Sequence, residues 1–405
     1  MKQTYSNFVT PAGLVVLAAL ALVAAYFGNR PLLALLSGLF LLCLAARLWA
    51  KFSLDRLELT FDSDDCRGFP GDALEFGVSL RNRKLLPVIW LDVRLPLGED
   101  ACVAPEENEA SFLWVMPWQS LRWRERPRAL RRGVCALDSV TLASGDGFGL
   151  SDMSRPYPLG TPFRLIVYPA LTPVDVSRIL HSLSEPEPGK DGLYTDPTLL
   201  RGVRDYRDGD SFRDINWRLL ARQGKMQVNV REKLDVRRAC FVLDLESFSW
   251  REELEGANGT YEVRRVYAEA LERMLSLAGS CAEALSPRGV ICTLALPSIA
   301  AREETPDLPA APERPARLVI PERRETQTEE LLTALAEIDY RGEPTRFPVW
   351  QIAAEYHSLG QVFFFTKSPT GRERELERAL DGSVRLVTQE GAPSGRVISE
   401  TELMR

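Results

Sequence analysis

The chain has 405 residues, 45% hydrophobic and 26% charged, which suits two ordinary domains and excludes a disordered or low-complexity protein. A formal net charge of -6 argues against nucleic acid as a partner, and two histidines in the whole chain argue against a histidine-built metal centre. The seven cysteines (43, 66, 102, 135, 240, 281 and 292) are odd in number, scattered and without a C-x-x-C pair, so they read as small buried hydrophobes in a reducing compartment.

Two apolar runs open the chain, PAGLVVLAALALVAAYF at 11–27 and PLLALLSGLFLLCLAA at 31–46, parted only by Gly28, Asn29 and Arg30. A cleaved signal peptide is not followed at once by a second such run. The expectation is a transmembrane hairpin over residues 1–52, with spans at about 11–27 and 31–48, short for the ~20 residues that cross a bilayer but helped by snorkelling flanks and local thinning. Lys2 precedes the first span, and Arg47, Lys51 and Arg56 end or follow the second. The positive-inside rule then places both ends, and all that follows, in the cytoplasm.

From residue 53 to 171 the hydrophobic period shifts towards two, as in LELTF (57–61), LEFGV (74–78), LDVRL (91–95) and CALDSVTL (135–142). Pro70-Gly71-Asp72, Arg81-Asn82-Arg83 and Gly145-Asp146-Gly147 supply turns. Short strands without helical segments predict an antiparallel β-sandwich of immunoglobulin-like type. Trp90, Trp114, Trp118 and Trp123 read as sandwich core or partner-facing surface, with a sugar-stacking platform as the alternative.

Residues 172–237 form a connector, and EPEPGKDG (185–192) reads as an exposed loop. Within it, residues 201–222 read RGVRDYRDGDSFRDINWRLLAR, six Arg interleaved with four Asp, one Tyr and one Trp. Asp208-Gly209-Asp210 signals a turn, and Asp210 or Ser211 is placed to cap a helix starting at Phe212. Phe212, Ile215 and Leu219 have near-helical spacing, and Gln223-Gly224 is a stop. Residues 226–230 alternate as a strand expected to pair with the β domain or the edge of the next sheet.

From 238 to 405, buried-strand runs at 239–243, 289–296, 361–366 and 384–387 alternate with helical stretches at about 262–285, 328–340, 349–359 and 373–380, the pattern of a parallel-sheet α/β domain. Residues 301–325, rich in Pro, Glu and Arg, read as an exposed insertion.

The positions Gly202, Arg204, Tyr206, Gly209, Asp210, Arg213, Ile215, Asn216, Trp217, Ala221 and Arg222 resemble the signature of a bacterial family, domain of unknown function fifty-eight (DUF58). Arg131-Arg132-Gly133 and residues 145–150 (GDGFGL) are similar to other recurring pieces of it. The resemblance implies a multidomain α+β chain: a membrane hairpin, a β-sandwich, the signature, then a von Willebrand factor A-like α/β domain. With the orientation read from the basic flanks, the expected location is the bacterial inner membrane with the soluble domains facing the cytoplasm. Proteins of this type are commonly encoded beside MoxR-type AAA+ ATPases, which implies a protein-binding adaptor for such an ATPase in assembly or maturation of an envelope-associated complex.

Two sites follow. The signature residues Gly202, Arg204, Tyr206, Gly209, Asp210, Arg213, Trp217 and Arg222 read either as an ion-pair network with Tyr206 and Trp217 packed on guanidinium planes, locking two domains, or as an exposed surface receiving a partner's carboxylates or phosphates. A von Willebrand A domain carries Asp-x-Ser-x-Ser at its first strand end to hold Mg²⁺. Here the stretch is Asp244-Leu245-Glu246-Ser247-Phe248-Ser249, with Glu246 and Phe248 at the hydroxyl positions. A Mg²⁺ held by Asp244 and Glu246, or an Asp bonding nearby backbone N–H groups, are the two readings. No nucleophile–base pair stands out, so the chain is expected not to be an enzyme. The alternatives are a metal-dependent enzyme at Asp244 and Glu246, and a purely structural envelope protein.

Overall fold

The structure, a computed structural model, describes residues 2–5, 10–97, 102–104, 110–184, 195–207, 210–233, 237–248, 260–296, 317–338, 360–367, 384–389 and 397–404. They belong to two compact units, Met1–Ala170 with Leu335–Ile338, and Leu171–Ala334 with Asp339–Arg405. The fold is mixed α+β with an apolar N-terminal hairpin and several sheets.

In the first unit a strand absent from the sequence reading, β1 (Lys2–Tyr5), precedes the helices α1 (Pro11–Tyr26) and α2 (Arg30–Ser53). Thr10 caps α1, its Oγ1 accepting from Gly13 N–H at 3.1 Å, and Pro11 fills the first helical turn, where a missing N–H costs nothing. Asn29 Oδ1 caps α2 through Leu32 N–H at 3.2 Å, after Gly28 turns the chain at φ 70°. Leu14, Leu36 and Phe40 pack around Leu17 and Cys43 across the hairpin.

The two helices are unequal in length. α1 has 16 residues and α2 has 24, reaching past residue 48 to Ser53. Among the described residues α2 alone is long and apolar enough to cross a membrane, and only 11% of its apolar window is buried, unlike the core helix of a soluble domain. Its last carbonyls are held by the β domain. Lys84 Nζ donates to the carbonyls of Ser53 and, at 2.9 Å, Asp55. Arg155 donates to the Leu54 carbonyl and pairs with Asp55 at 2.9 Å. Cations on orphan C-terminal carbonyls complete the helix and suit its dipole.

The strands that follow are β2 (Leu57–Phe61), β3 (Asp65–Gly68), β4 (Phe76–Asn82), β5 (Val88–Arg94), β6 (Val103–Ala104), β7 (Ala110–Val115), β8 (Ser120–Glu125), β9 (Arg128–Ala129), β10 (Gly133–Gly145) and β11 (Ser151–Val167). One sheet runs β1-β11-β10-β5-β7, with β3 parallel against β11; a second runs β2-β4-β8; β6 and β9 pair separately. Alternation is the cause: Phe76, Val78 and Leu80 on β4 point inward to a core shared with Leu91, Leu142, Phe163 and Leu165 of the larger sheet. Trp123 joins that core beside Phe112, ring centroids 4.8 Å apart, whereas Trp114 and Trp118 are exposed.

In the second unit, α3 (Ser177–Ser184) and β12 (Thr195–Asp205) occupy parts of the expected connector. Then come α4 (Trp217–Gln223), β13 (Gln227–Lys233), β14 (Arg238–Leu243), α5 (Thr260–Leu285), β15 (Ile291–Leu296), β16 (Arg317–Val319), α6 (Gln327–Ala336), β17 (Gln361–Thr366), β18 (Val384–Thr388) and β19 (Val397–Ser399). β13 pairs with β12 as a separate two-stranded ribbon, which corrects its expected pairing with a neighbouring sheet. The main sheet has the order β16-β15-β14-β17-β18-β19, parallel except for β16. Residues 361–366 are buried throughout, as a strand covered on both faces requires. α5 covers the sheet with Leu271, Met274, Leu275, Ala278, Cys281, Ala282 and Leu285, buried at helical spacing. β16 falls inside the stretch read as an exposed insertion over 301–325, so part of it is an edge strand. The helices expected at 349–359 and 373–380 lie outside the described residues.

Candidate functional site

The signature builds a ribbon with a short helix laid on it. Arg204 Nη1 and Nη2 reach Asp210 Oδ2 and Oδ1 at 2.7 and 2.6 Å, a two-point guanidinium–carboxylate pair. Arg207 N–H donates to Asp210 Oδ2 at 2.9 Å, and Asp210 N–H to the Arg207 carbonyl at 3.0 Å. Arg204 and that backbone N–H hold the Asp210 carboxyl down to about 2, and Asp210 pushes Arg204 up. These bonds fix the turn at 204–210, whose Asp208 and Gly209 lie outside the described residues.

The helix starts later than its periodicity suggested. Residues Phe212–Asp214 form a 3-10 turn, and α4 begins at Trp217 with Asn216 as cap, Oδ1 accepting from Leu219 N–H at 3.1 Å. Asp210 and Ser211 are not its caps. Asn216 also donates from its side chain to Asn229 at 2.8 Å and from its backbone to Gln227 at 2.8 Å, so it fastens the helix start to β13. Ile215, 3% exposed, bridges Val228 beneath it. Gly224 at φ 65° ends the helix as expected, its N–H returning to Leu220 at 2.9 Å.

Fastened on one side, α4 presents the other to solvent. Trp217 is 59% exposed and Phe212 is 68% exposed; Val203 and Met226 are exposed as well. Trp217 with Ala221, and Arg218 with Arg222, are one helical turn apart, and all four are exposed. Arg218, Arg222 and Lys225 form no ion pair among the described residues. The Tyr206 and Phe212 ring centroids lie 6.3 Å apart, and neither Tyr206 nor Trp217 stacks on a guanidinium among the described residues. Gly202 has open space where a Cβ would stand, so no close packing demands glycine there. Of Arg213 only the backbone is described. Sequence reasoning missed Phe212, Arg218, Lys225 and Met226 as surface; the repeat of aromatic or small residue and Arg at 217–218 and 221–222 was the available signal.

The second candidate lies where strand order reverses, between the carboxyl ends of β14 and β17, the usual ligand crevice of open α/β sheets. Asp244 is buried there, its N–H bonded to Phe365 at 2.9 Å and its Oδ2 accepting from Thr366 Oγ1 at 3.0 Å. Ser247 Oγ donates to the Asp244 carbonyl at 2.9 Å and accepts from Lys367 N–H at 3.1 Å. Lys367 Nζ sits 3.6 Å from the centroid of the Tyr267 ring. Phe248, at one hydroxyl position of the metal motif, is a core residue. Glu246 is described only as backbone of the 3-10 turn Leu245–Phe248. Among the described residues no group of three His, Cys, Asp or Glu could hold a metal. With its Oδ2 bonded to Thr366 and Phe248 in the core, the described residues fit a hydrogen-bonded strand end better than a Mg²⁺ site.

No protein-family model matches the chain, and no curated protein matches it.

Proposed function

We propose that the chain is a membrane-anchored interaction scaffold whose α4 face docks a protein partner. One observation carries this reading: Trp217 and Phe212 stand largely in solvent beside Arg218, Arg222 and Lys225, which have no ion-pair partner among the described residues. Exposed aromatics flanked by arginines are what interface hot spots are made of, and leaving them in water is unfavourable unless something covers them. The basic flank calls for an acidic partner surface with an apolar acceptor. The DUF58 resemblance supplies the candidate, a MoxR-type AAA+ ATPase, with the soluble domains on the cytoplasmic side of a bacterial inner membrane, in assembly or maturation of an envelope-associated complex. Membrane anchoring is supported by α2 and its lipid-suited, largely unburied surface.

Co-purification tests this. Tagged full-length protein extracted in mild detergent should retain a MoxR-type ATPase, and Trp217→Ala or Arg218→Glu should lose it without lowering the melting temperature. Retention by both variants would refute the assigned surface, and absence of the ATPase from the wild-type eluate would refute the partner.

A further inference from the structure

We propose that the turn joining β10 to β11, residues 146–150, is inserted into the bilayer beside the helical hairpin, with Phe148 facing lipid. The proposal rests on the membrane-anchoring reading above.

The turn is tied to the helices inside their apolar stretch. Leu150 packs on the cluster of Leu17 and Cys43 that Leu14, Leu36 and Phe40 also flank. The polar end of α2 is elsewhere: Arg47 and Lys51 follow, and Lys84 and Arg155 hold the carbonyls of Ser53, Leu54 and Asp55. At 1.5 Å per residue, Cys43 lies about 15 Å along α2 from Ser53 and about 6 Å on the apolar side of Arg47. A residue packed at that level shares the depth of the acyl boundary.

Phe148, at the tip, is 71% exposed. In water that ring has nothing to cover it, whereas at a membrane interface an aromatic ring is favoured. Three backbone N–H groups of the turn bring their own acceptors, as irregular chain near lipid must. Asp146 Oδ1 accepts from Phe148 N–H at 3.0 Å and Leu150 N–H at 3.2 Å, and Asp146 N–H donates to the Ser151 carbonyl at 3.2 Å. Asp146 itself is 2% exposed, so the acceptor is enclosed by the turn it serves. Gly147 and Gly149, at φ 76° and 73°, allow this tight path, and a Cβ on Gly147 would press on Ile89 at 2.8 Å. The occupant is the bilayer, because the turn packs through Leu150 on the same helical hairpin whose Val16, Leu39 and Leu42 stand exposed.

The test places a photoreactive p-benzoylphenylalanine at Phe148, Leu35 or Val203 in separate full-length proteins, reconstituted in nanodiscs of phosphatidylcholine and phosphatidylglycerol. Leu35 is exposed on α2 and Val203 on the signature ribbon. After irradiation, mass spectrometry should find lipid adducts at 148 in yield comparable to 35 and well above 203. Adducts at 35 with a yield at 148 no higher than at 203 would overturn the insertion while leaving the anchor intact. A 148 adduct to protein in place of lipid would overturn it too. No lipid adduct at 35 would remove the anchoring reading, and this proposal with it.

Discussion

Lys84 holds the carbonyls of Ser53 and Asp55 from a largely buried position, and burial pulls its ammonium down to about 8. Replacing it in Lys84→Met leaves those carbonyls without their donor, an expected cost of about 1–3 kcal/mol seen as a lower melting temperature of the detergent-solubilised protein. The pH dependence has a definite sign. Between about 8 and the ordinary lysine value of 10.5, the unfolded chain keeps a proton that the folded one has lost. Stability from this group therefore rises with pH across that window, and Lys84→Met should remove the rise. Asp210 behaves in the opposite region. Its carboxyl, held at about 2 by Arg204 and the Arg207 N–H, supports the turn fully above the ordinary value of 3.8 and loses that support as pH falls through about 2. Carbon-13 NMR of the Asp210 carboxyl should titrate near that low value and move up in Arg204→Ala, with the rest of the spectrum unchanged. Global unfolding of Arg204→Ala would contradict the local, exposed character of the pair.

Among elements, Gly360 makes the sharpest demand. At the entry to β17 it takes φ 141°, and a Cβ there would stand 2.5 Å from the Arg238 carbonyl oxygen. Gly360→Ala should cost at least about 1–3 kcal/mol, read as a drop in melting temperature, while Gly202→Ala, with open space, should melt like the wild type. The buried strands β14, β15 and β17 were legible because continuous apolar runs have few other homes in a soluble domain. β11 was only half legible: Pro156, Pro158 and Pro162 break its pattern, yet the strand runs through them past a register shift in β10. β1 had no signal, since four mixed residues become a strand only by pairing with β11. The start of α4 was misread because Phe212 has helical spacing from Ile215 but is exposed, and Asn216, bonded to β13, caps better than Asp210, which is engaged by Arg204.

At the scale of the molecule, the first compact unit runs to Ala170 and takes in Leu335–Ile338 as well. The hydrophobic period of the sequence changes near residue 171. Which signature residues face solvent could not be read, since an Arg-rich stretch with Tyr and Trp is compatible with a buried network as well as an open surface. The exposed α4 face favours the open-surface reading, and on it rests the proposal of a tethered docking scaffold. Its most direct test is the affinity of purified MoxR-type ATPase for the full-length protein in nanodiscs, wild type against Trp217→Ala. Removing a central aromatic should weaken binding by about 2 kcal/mol, about thirtyfold, with secondary structure and melting unchanged. Equal affinity of the two proteins would contradict the account.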